Sequence, residues 1–212
     1  MGRARNTAKI QGSIFVISAP SGAGKTTLVN RLLASLPRLR FSVSHTTRPP
    51  RVGEKNGREY FFVTPAKFRR MIARAEFLEW AQVFDNYYGT SWRQLRDAQR
   101  AGRDILLDID VQGHQQVKQR LQEAVSIFVL PPSFKELERR LRRRHSETPE
   151  AIHKRLMFAR REVARWPGYD YLIVNDRLRD AASALKAVVV AARFRTACQQ
   201  KRAQKISRSF GG

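Results

Sequence analysis

Residues 19–27 read A-P-S-G-A-G-K-T-T, directly after the apolar run Ile14-Phe15-Val16-Ile17 and directly before Leu28-Val29-Asn30-Arg31-Leu32-Leu33. A buried strand, a glycine-rich turn and a helix in immediate succession form the setting that a phosphate-binding loop requires. Each residue type in the turn has a physical task. Gly22 and Gly24 carry no Cβ, so the backbone can curl and approach an anion closely. The N–H groups of that curl and of the helix start then converge on phosphate oxygens. Lys25 adds a compact positive charge, and the Thr26 hydroxyl is suited to ligate Mg²⁺. Ala19 stands where the usual pattern opens with glycine, and as the smallest substitute it is expected to change little. With strand and helix both in place, binding of ATP or GTP outweighs the reading of a plain Gly-rich turn.

A chain of 212 residues is long enough for one substantial core with a small inserted lobe. Its charge is unusual: 41 Lys and Arg against 18 Asp and Glu give +23, with no acidic residue before Glu54 and none after Asp180. Such a surface suits anionic substrates and allows nonspecific contact with nucleic acid, although a solvated cationic surface is an equally good reading. The single cysteine, Cys198, excludes an internal disulfide and a Cys-based metal site, and is expected to pack on a late helix. No apolar run approaches a membrane span, and Met1 to Lys9 is basic without the apolar stretch of a secretory signal, so the expectation is a cytoplasmic protein. Whether it is a monomer or a homo-oligomer stays open.

Four further apolar runs read as buried strands: Phe41-Ser42-Val43, Asp104 to Leu107, Ser126 to Leu130 and Tyr171 to Val174. Helical patterns lie between most of them, for instance Phe134, Leu137 and Leu141. Alternating strand and helix predicts an α/β fold, a doubly wound parallel five-stranded sheet with helices on both faces. Ligands of such sheets sit beyond the carboxyl ends of the strands, where the phosphate loop, Asp108, Asp110 and Asn175 would meet. The alternation breaks over 44–99, which carries Pro49-Pro50, Gly53, short aromatic strands (Tyr60 to Val63 and Phe84 to Tyr88) and a helix from about Pro65 to Arg74 opened by Thr64. This is a small mixed lobe inserted into a core made of 12–43 and 100–195. A helical lid over about 136–160, in two pieces joined by a polar corner, would cover the phosphate loop. The basic stretches 1–11 and 196–212 are expected to be mobile tails.

The lobe narrows the function. The segments SVSHTTRPPR (42–51), GREY (57–60), EWA (79–81) and NYYGT (86–90), followed by ILLDIDVQG (105–113), PPS (131–133) and IVND (173–176), together resemble the guanylate kinases. The likeness runs in order over about 12–195, and the combination is far more specific than any single segment. It implies a P-loop NTPase fold whose loop binds ATP and whose lobe binds GMP, with Mg²⁺ accompanying ATP. On the ATP side it points to Ala19, Pro20, Ser21, Gly22, Ala23, Gly24, Lys25, Thr26 and Thr27, with Arg140, Arg144 and Asn175. On the GMP side it points to Ser44, Arg48, Arg51, Tyr60, Glu79, Tyr88, Thr90, Asp108 and Asp110.

The chemistry agrees with that assignment. Guanine presents two donors, N1–H and the N2 amine, beside an O6 acceptor. One carboxylate, Glu79, can accept both donors, while resemblance gives Ser44 and Thr90 the task of donating to O6. Adenine would leave this pocket partly unpaired, and sites built for hydrogen bonding discriminate by about 10⁴-fold. Asp108 or Asp110 can take the remaining N2 hydrogen, and either can hold Mg²⁺ through water. Arg48, Arg51, Tyr60 and Tyr88 would surround the acceptor phosphate, arginine's planar fork being suited to its oxygens. Taken singly, the tyrosines read as core residues and the arginines as solvated ones, and their joint order overturns that.

Lys135 to Arg144 holds six cations, most of them explained as a solvated helix face. Arg140, Arg144 and Arg155 align with arginines that the family brings over the triphosphate. Lys25, Arg48, Arg140 and Arg155 are thus the expected catalytic cations. Where the family has glycine after the arginine aligned with Arg144, this chain has His145. His114 and His153 lack metal-ligand spacing and are expected at the surface or at helix caps. Rival readings are a non-catalytic guanylate-kinase-like binding module, which tends to lose the phosphate loop that is whole here, and a kinase of a phosphorylated sugar, which would not need Ser44, Glu79 and Thr90 together.

Overall fold

The computed structural model describes residues 12–143 and 148–210. Arg144 and His145 therefore lie outside the described residues, as do 1–11. The chain begins with β1 (Ile14–Ser18), whose five residues are all buried. Alternate side chains serve opposite faces of the strand: Phe15 and Ile17 join one apolar cluster, Ile14 and Val16 another. A strand buried on both sides belongs in the middle of a parallel sheet. It pairs in parallel with β7 (Asp104–Asp108) and β8 (Val125–Leu130). β2 (Leu39–Phe41) and β9 (Tyr171–Val174) close the edges, in the order β2-β7-β1-β8-β9.

Helices cover both faces. On one side α1 (Lys25–Ser35) and α7 (Leu178–Ala192) pack against each other and the sheet through Leu28, Leu32, Leu185 and Val189. On the other, α3 (Trp92–Arg100) and α4 (Val111–Arg120) contribute Leu95, Ala98 and Val117. Burial of these apolar faces at about 25 cal/mol per Å² is the main stabilising contribution.

Between β2 and α3 lies a second sheet, ordered β4-β3-β6-β5, formed by β3 (His45–Thr46), β4 (Phe61–Phe62), β5 (Phe77–Val83) and β6 (Asn86–Ser91). Its small core, Phe68, Met71 and Phe77, is closed by α2 (Pro65–Ala73), where Thr64 accepts the N-capping hydrogen bond from Lys67. Two helices, α5 (Phe134–Arg142) and α6 (Pro149–Val163), pack through Leu137, Leu141, Ile152 and Leu156.

Several expectations are corrected. The second strand is 39–41 rather than 41–43, because the Gln94 side chain takes both the N–H and the carbonyl of Val43 and so displaces a ladder there. β5 had not been recognised as a strand. Within the basic stretch 196–212, residues 196–209 form the helix α8 (Thr196–Ser209), whose extent the sequence reading does not give. Cys198 does sit on this late helix but is exposed instead of packed. His114 is a core residue: it is buried and stacks on Tyr169 with ring centres 3.7 Å apart, and that burial lowers its pKa to about 4. His153 is exposed, as expected.

Candidate active site

A cavity of about 940 Å³ opens at the carboxyl edge of the parallel sheet, between that edge, the second sheet and α6. One end of it is backbone. After β1 the chain turns through Gly22 and Gly24, both with positive φ (94° and 89°). A side chain at Gly24 would also collide with the Asn175 amide, so glycine is required twice over. The turn is fastened from behind: Asn175 Nδ2 donates to the Ala23 carbonyl at 2.7 Å, and Arg140 Nη2 donates to the Asn175 carbonyl at 3.1 Å. Lys25, at the first position of α1, forms an ion pair with Asp108 at the end of β7. Thr26 and Thr27 stand beside it on the cavity wall.

The other end is built from side chains. Antiparallel pairing of β5 with β6 sets Glu79 opposite Thr90, and the Thr90 N–H donates to Glu79 Oε1 at 2.8 Å. Pairing of β3 with β6 brings Ser44 alongside, its hydroxyl 3.3 Å from that of Thr90. Gly113 gives Glu79 its room, since a Cβ there would run into Glu79 Oε2. Burial raises the Glu79 carboxyl to about 7, against the opposing pull of the Thr90 hydrogen bonds, and the nearby Asp110 pushes the same way as burial. Asp110 itself caps α4, accepting from the Gly113 N–H at 2.8 Å.

A cationic and phenolic wall joins the two ends. The Arg48 guanidinium donates to Glu54 at 2.8 Å and lies 5.4 Å from the Tyr60 ring centre, with Tyr88 edge-on to Tyr60 at 5.9 Å. Burial lifts the Tyr60 hydroxyl to about 12, so it remains a donor. Arg51 is exposed at the rim, on a turn held by Glu54. From above, α6 sends Arg155 to the Ser21 hydroxyl at 3.1 Å. Near α6, Phe158 meets Phe84 of the β5–β6 turn, ring centres 4.8 Å apart.

The guanylate kinase family model matches residues 11–192. The chain belongs to the guanylate kinase family. It is 50% identical to the guanylate kinase of Dechloromonas aromatica over 90% of this chain and 95% of that one. Identity to the guanylate kinase of Neisseria gonorrhoeae is 51%, over 92% and 93% of the two chains. A crystal structure of guanylate kinase from Anaplasma phagocytophilum superposes with a TM-score of 0.74 at 36% identity, covering 88% of each chain. Membership of this family makes the chain a kinase, that is a phosphotransferase, and implies a divalent metal. No helix among the described residues is long and apolar enough to cross a membrane.

Of the residues named from sequence, the cavity brings together Ala19, Pro20, Ser21, Gly22, Gly24, Lys25, Thr26, Thr27, Ser44, Arg48, Arg51, Tyr60, Glu79, Tyr88, Asp108, Asp110 and Arg155. Thr90 and Ala23 sit just behind the wall, each buried. Arg140 and Asn175 do not line it: Arg140 folds onto Glu136 at 2.7 Å and onto the back of the phosphate loop. One charged wall residue is absent from the sequence reading. Glu162 lies on α6 seven residues after Arg155, hence on the same helix face, and burial raises its carboxyl to about 7 although Lys25 pulls it down. Helical spacing from Arg155 was the signal that would have found it. Glu54, which orients Arg48, was missed as well.

Proposed function

We propose that this guanylate kinase transfers the γ-phosphoryl group of ATP to GMP, giving ADP and GDP. The observation that carries the reading is a buried carboxylate and a hydroxyl, Glu79 and Ser44, that line the same cavity as a phosphate loop and its lysine, with Thr90 hydrogen-bonded to Glu79 and its hydroxyl against Ser44 just behind them. Guanine's two donors fit Glu79, and its O6 fits the hydroxyls. Asp110, whose charge reaches Glu79, takes the remaining N2 hydrogen. Asp108, paired with Lys25, belongs to the phosphate side. Arg48, Arg51, Tyr60 and Tyr88 hold the GMP phosphate.

One oxygen of that phosphate attacks the γ-phosphorus, the bond from γ-phosphorus to the β-bridging oxygen breaks, and ADP leaves with the electron pair. The attacking oxygen is largely ionised at neutral pH, since a phosphate monoester has its second pKa at about 6. No general base is needed. The protein aligns two anions and neutralises charge as the phosphoryl group moves, with Lys25, Arg48 and Arg155 as the cations nearest the transfer path. Arg140 then acts by fastening the loop from behind. The two lid helices and the lobe exclude water, which would otherwise take the phosphoryl group.

The metal that accompanies ATP is Mg²⁺ in this reading. The donor set fits a hard cation: the Thr26 hydroxyl and the Asp108 carboxylate both line the cavity beside Lys25. These two groups would hold the ion, which would supply neutralisation of the donor's phosphate charge. A coupled ADP-release assay with GMP, AMP, dGMP and UMP as acceptors tests the whole reading: the guanine nucleotides turn over and the others do not, and equal turnover of all four would contradict it.

A further inference from the structure

The last helix lies outside the part of the chain that the family model matches, which ends at residue 192. α8 (Thr196–Ser209) buries almost nothing: every described side chain on it except Gln199 is exposed. A 14-residue helix without a packed face is marginal in water. From Arg193 to the end the sequence holds six Lys and Arg and no acidic residue. Arg202, Lys205 and Arg208 follow at intervals of three, so they fall on one side of α8, and all three are exposed.

The helix also leaves from the far side of the molecule. Arg193 donates to Asp104 at 2.8 Å, and Cys198 Sγ lies 3.6 Å from Ser13 Oγ. Asp104 opens β7 and Ser13 precedes β1, so α8 starts at the amino edge of the parallel sheet, whereas the cavity is at the carboxyl edge.

We propose that α8 docks on the phosphate backbone of duplex nucleic acid, a contact compatible with simultaneous catalysis. Charge complementarity selects this occupant. A second copy of the chain carries the same +23 and is repelled. An acidic membrane would require a broad apolar face with several large side chains, and within α8 the one large apolar residue is Ile206, the exposed Phe194 and Phe210 lying beyond its two ends. A duplex offers regularly spaced phosphates to cations on one helix face, with no demand for apolar contact.

The test uses the full chain and a fluorescently labelled DNA duplex, read by anisotropy between about 50 and 200 mM salt. The combined variant Arg202→Gln, Lys205→Gln, Arg208→Gln is expected to bind at least about tenfold more weakly near 100 mM salt. Its plot of log affinity against log salt is shallower by about 2–3, one ion contact being worth about 0.9. Kinase turnover stays that of the full chain. A charge-preserving variant, Arg202→Lys with Arg208→Lys, binds as the full chain does. Unchanged affinity and slope in the glutamine variant would overturn the proposal, as would equal weakening in the lysine variant. Tighter binding to phosphatidylserine vesicles than to the duplex would overturn it too, assigning α8 to a membrane.

Discussion

The two ends of the cavity hold anions and bases by opposite means. At the phosphate-loop end the proposed receptor is the chain itself: two glycines at positive φ curl the backbone along the cavity, and Lys25 is the main side chain added. At the lobe end the backbone only sets up strands, and the proposed recognition falls to Glu79, Ser44, Arg48 and two tyrosines on the wall, with Thr90 behind them, from four separate strands and loops. A backbone receptor is indifferent to the base it serves. A side-chain receptor is selective, and it carries a cost, since Glu79 is a carboxylate buried with little compensation.

That contrast can be broken by substitution. Lys25→Ala should lower kcat by about 10³-fold while GMP still binds, and near-normal turnover would show that the backbone suffices. Glu79→Gln should reduce kcat/KM for GMP by about 10²-fold with the KM for ATP nearly unchanged, because one charged acceptor is exchanged for a donor. Equal losses for both nucleotides would make Glu79 structural. The pH profile sharpens the same point. The Glu79 pKa is about 7 in the ligand-free protein, and its ionised form accepts guanine's donors, so the KM for GMP should rise as pH falls from 8 to 6. A flat profile would place the titration elsewhere.

Stability gives the smallest of these effects and the reverse sign. A carboxyl raised from about 4.5 to about 7 by folding binds more protons folded than unfolded between those values. The penalty from its charge is therefore full above pH 7 and gone below pH 4.5. Glu79→Gln should be more stable than the parent by about 1–3 kcal/mol at pH 8, the gain vanishing towards pH 4.5, as read by urea unfolding. Glu162 titrates in the same window, so the comparison of parent with single variant isolates Glu79.

Legibility in the sequence follows the same division. The phosphate loop is contiguous, and its strand, turn and helix came out where the residues placed them. Four strands of the parallel sheet were legible because they are mostly apolar runs, whereas β2, Leu39-Arg40-Phe41, is interrupted by an arginine and was placed two residues too late. β5 was not legible, since Phe77–Val83 mixes Glu79 and Gln82 with apolar residues, and Glu79, buried on the cavity wall, breaks the alternation of a strand. Lobe residues became readable only as an ordered set of segments. Roles that depend on long-range packing stayed hidden. His114 is polar yet buried against Tyr169, Arg140 braces the loop rather than facing the cavity, and Glu162 arrives from a helix far along the chain.

The central claim is that Glu79 and its neighbouring hydroxyls read guanine opposite the phosphate loop. Acceptor discrimination in the parent and in Glu79→Gln tests it most directly, as the ratio of kcat/KM for GMP to that for AMP. The account predicts a ratio of about 10⁴ in the parent that collapses by two orders of magnitude or so in the variant. The same ratio in both proteins would contradict it.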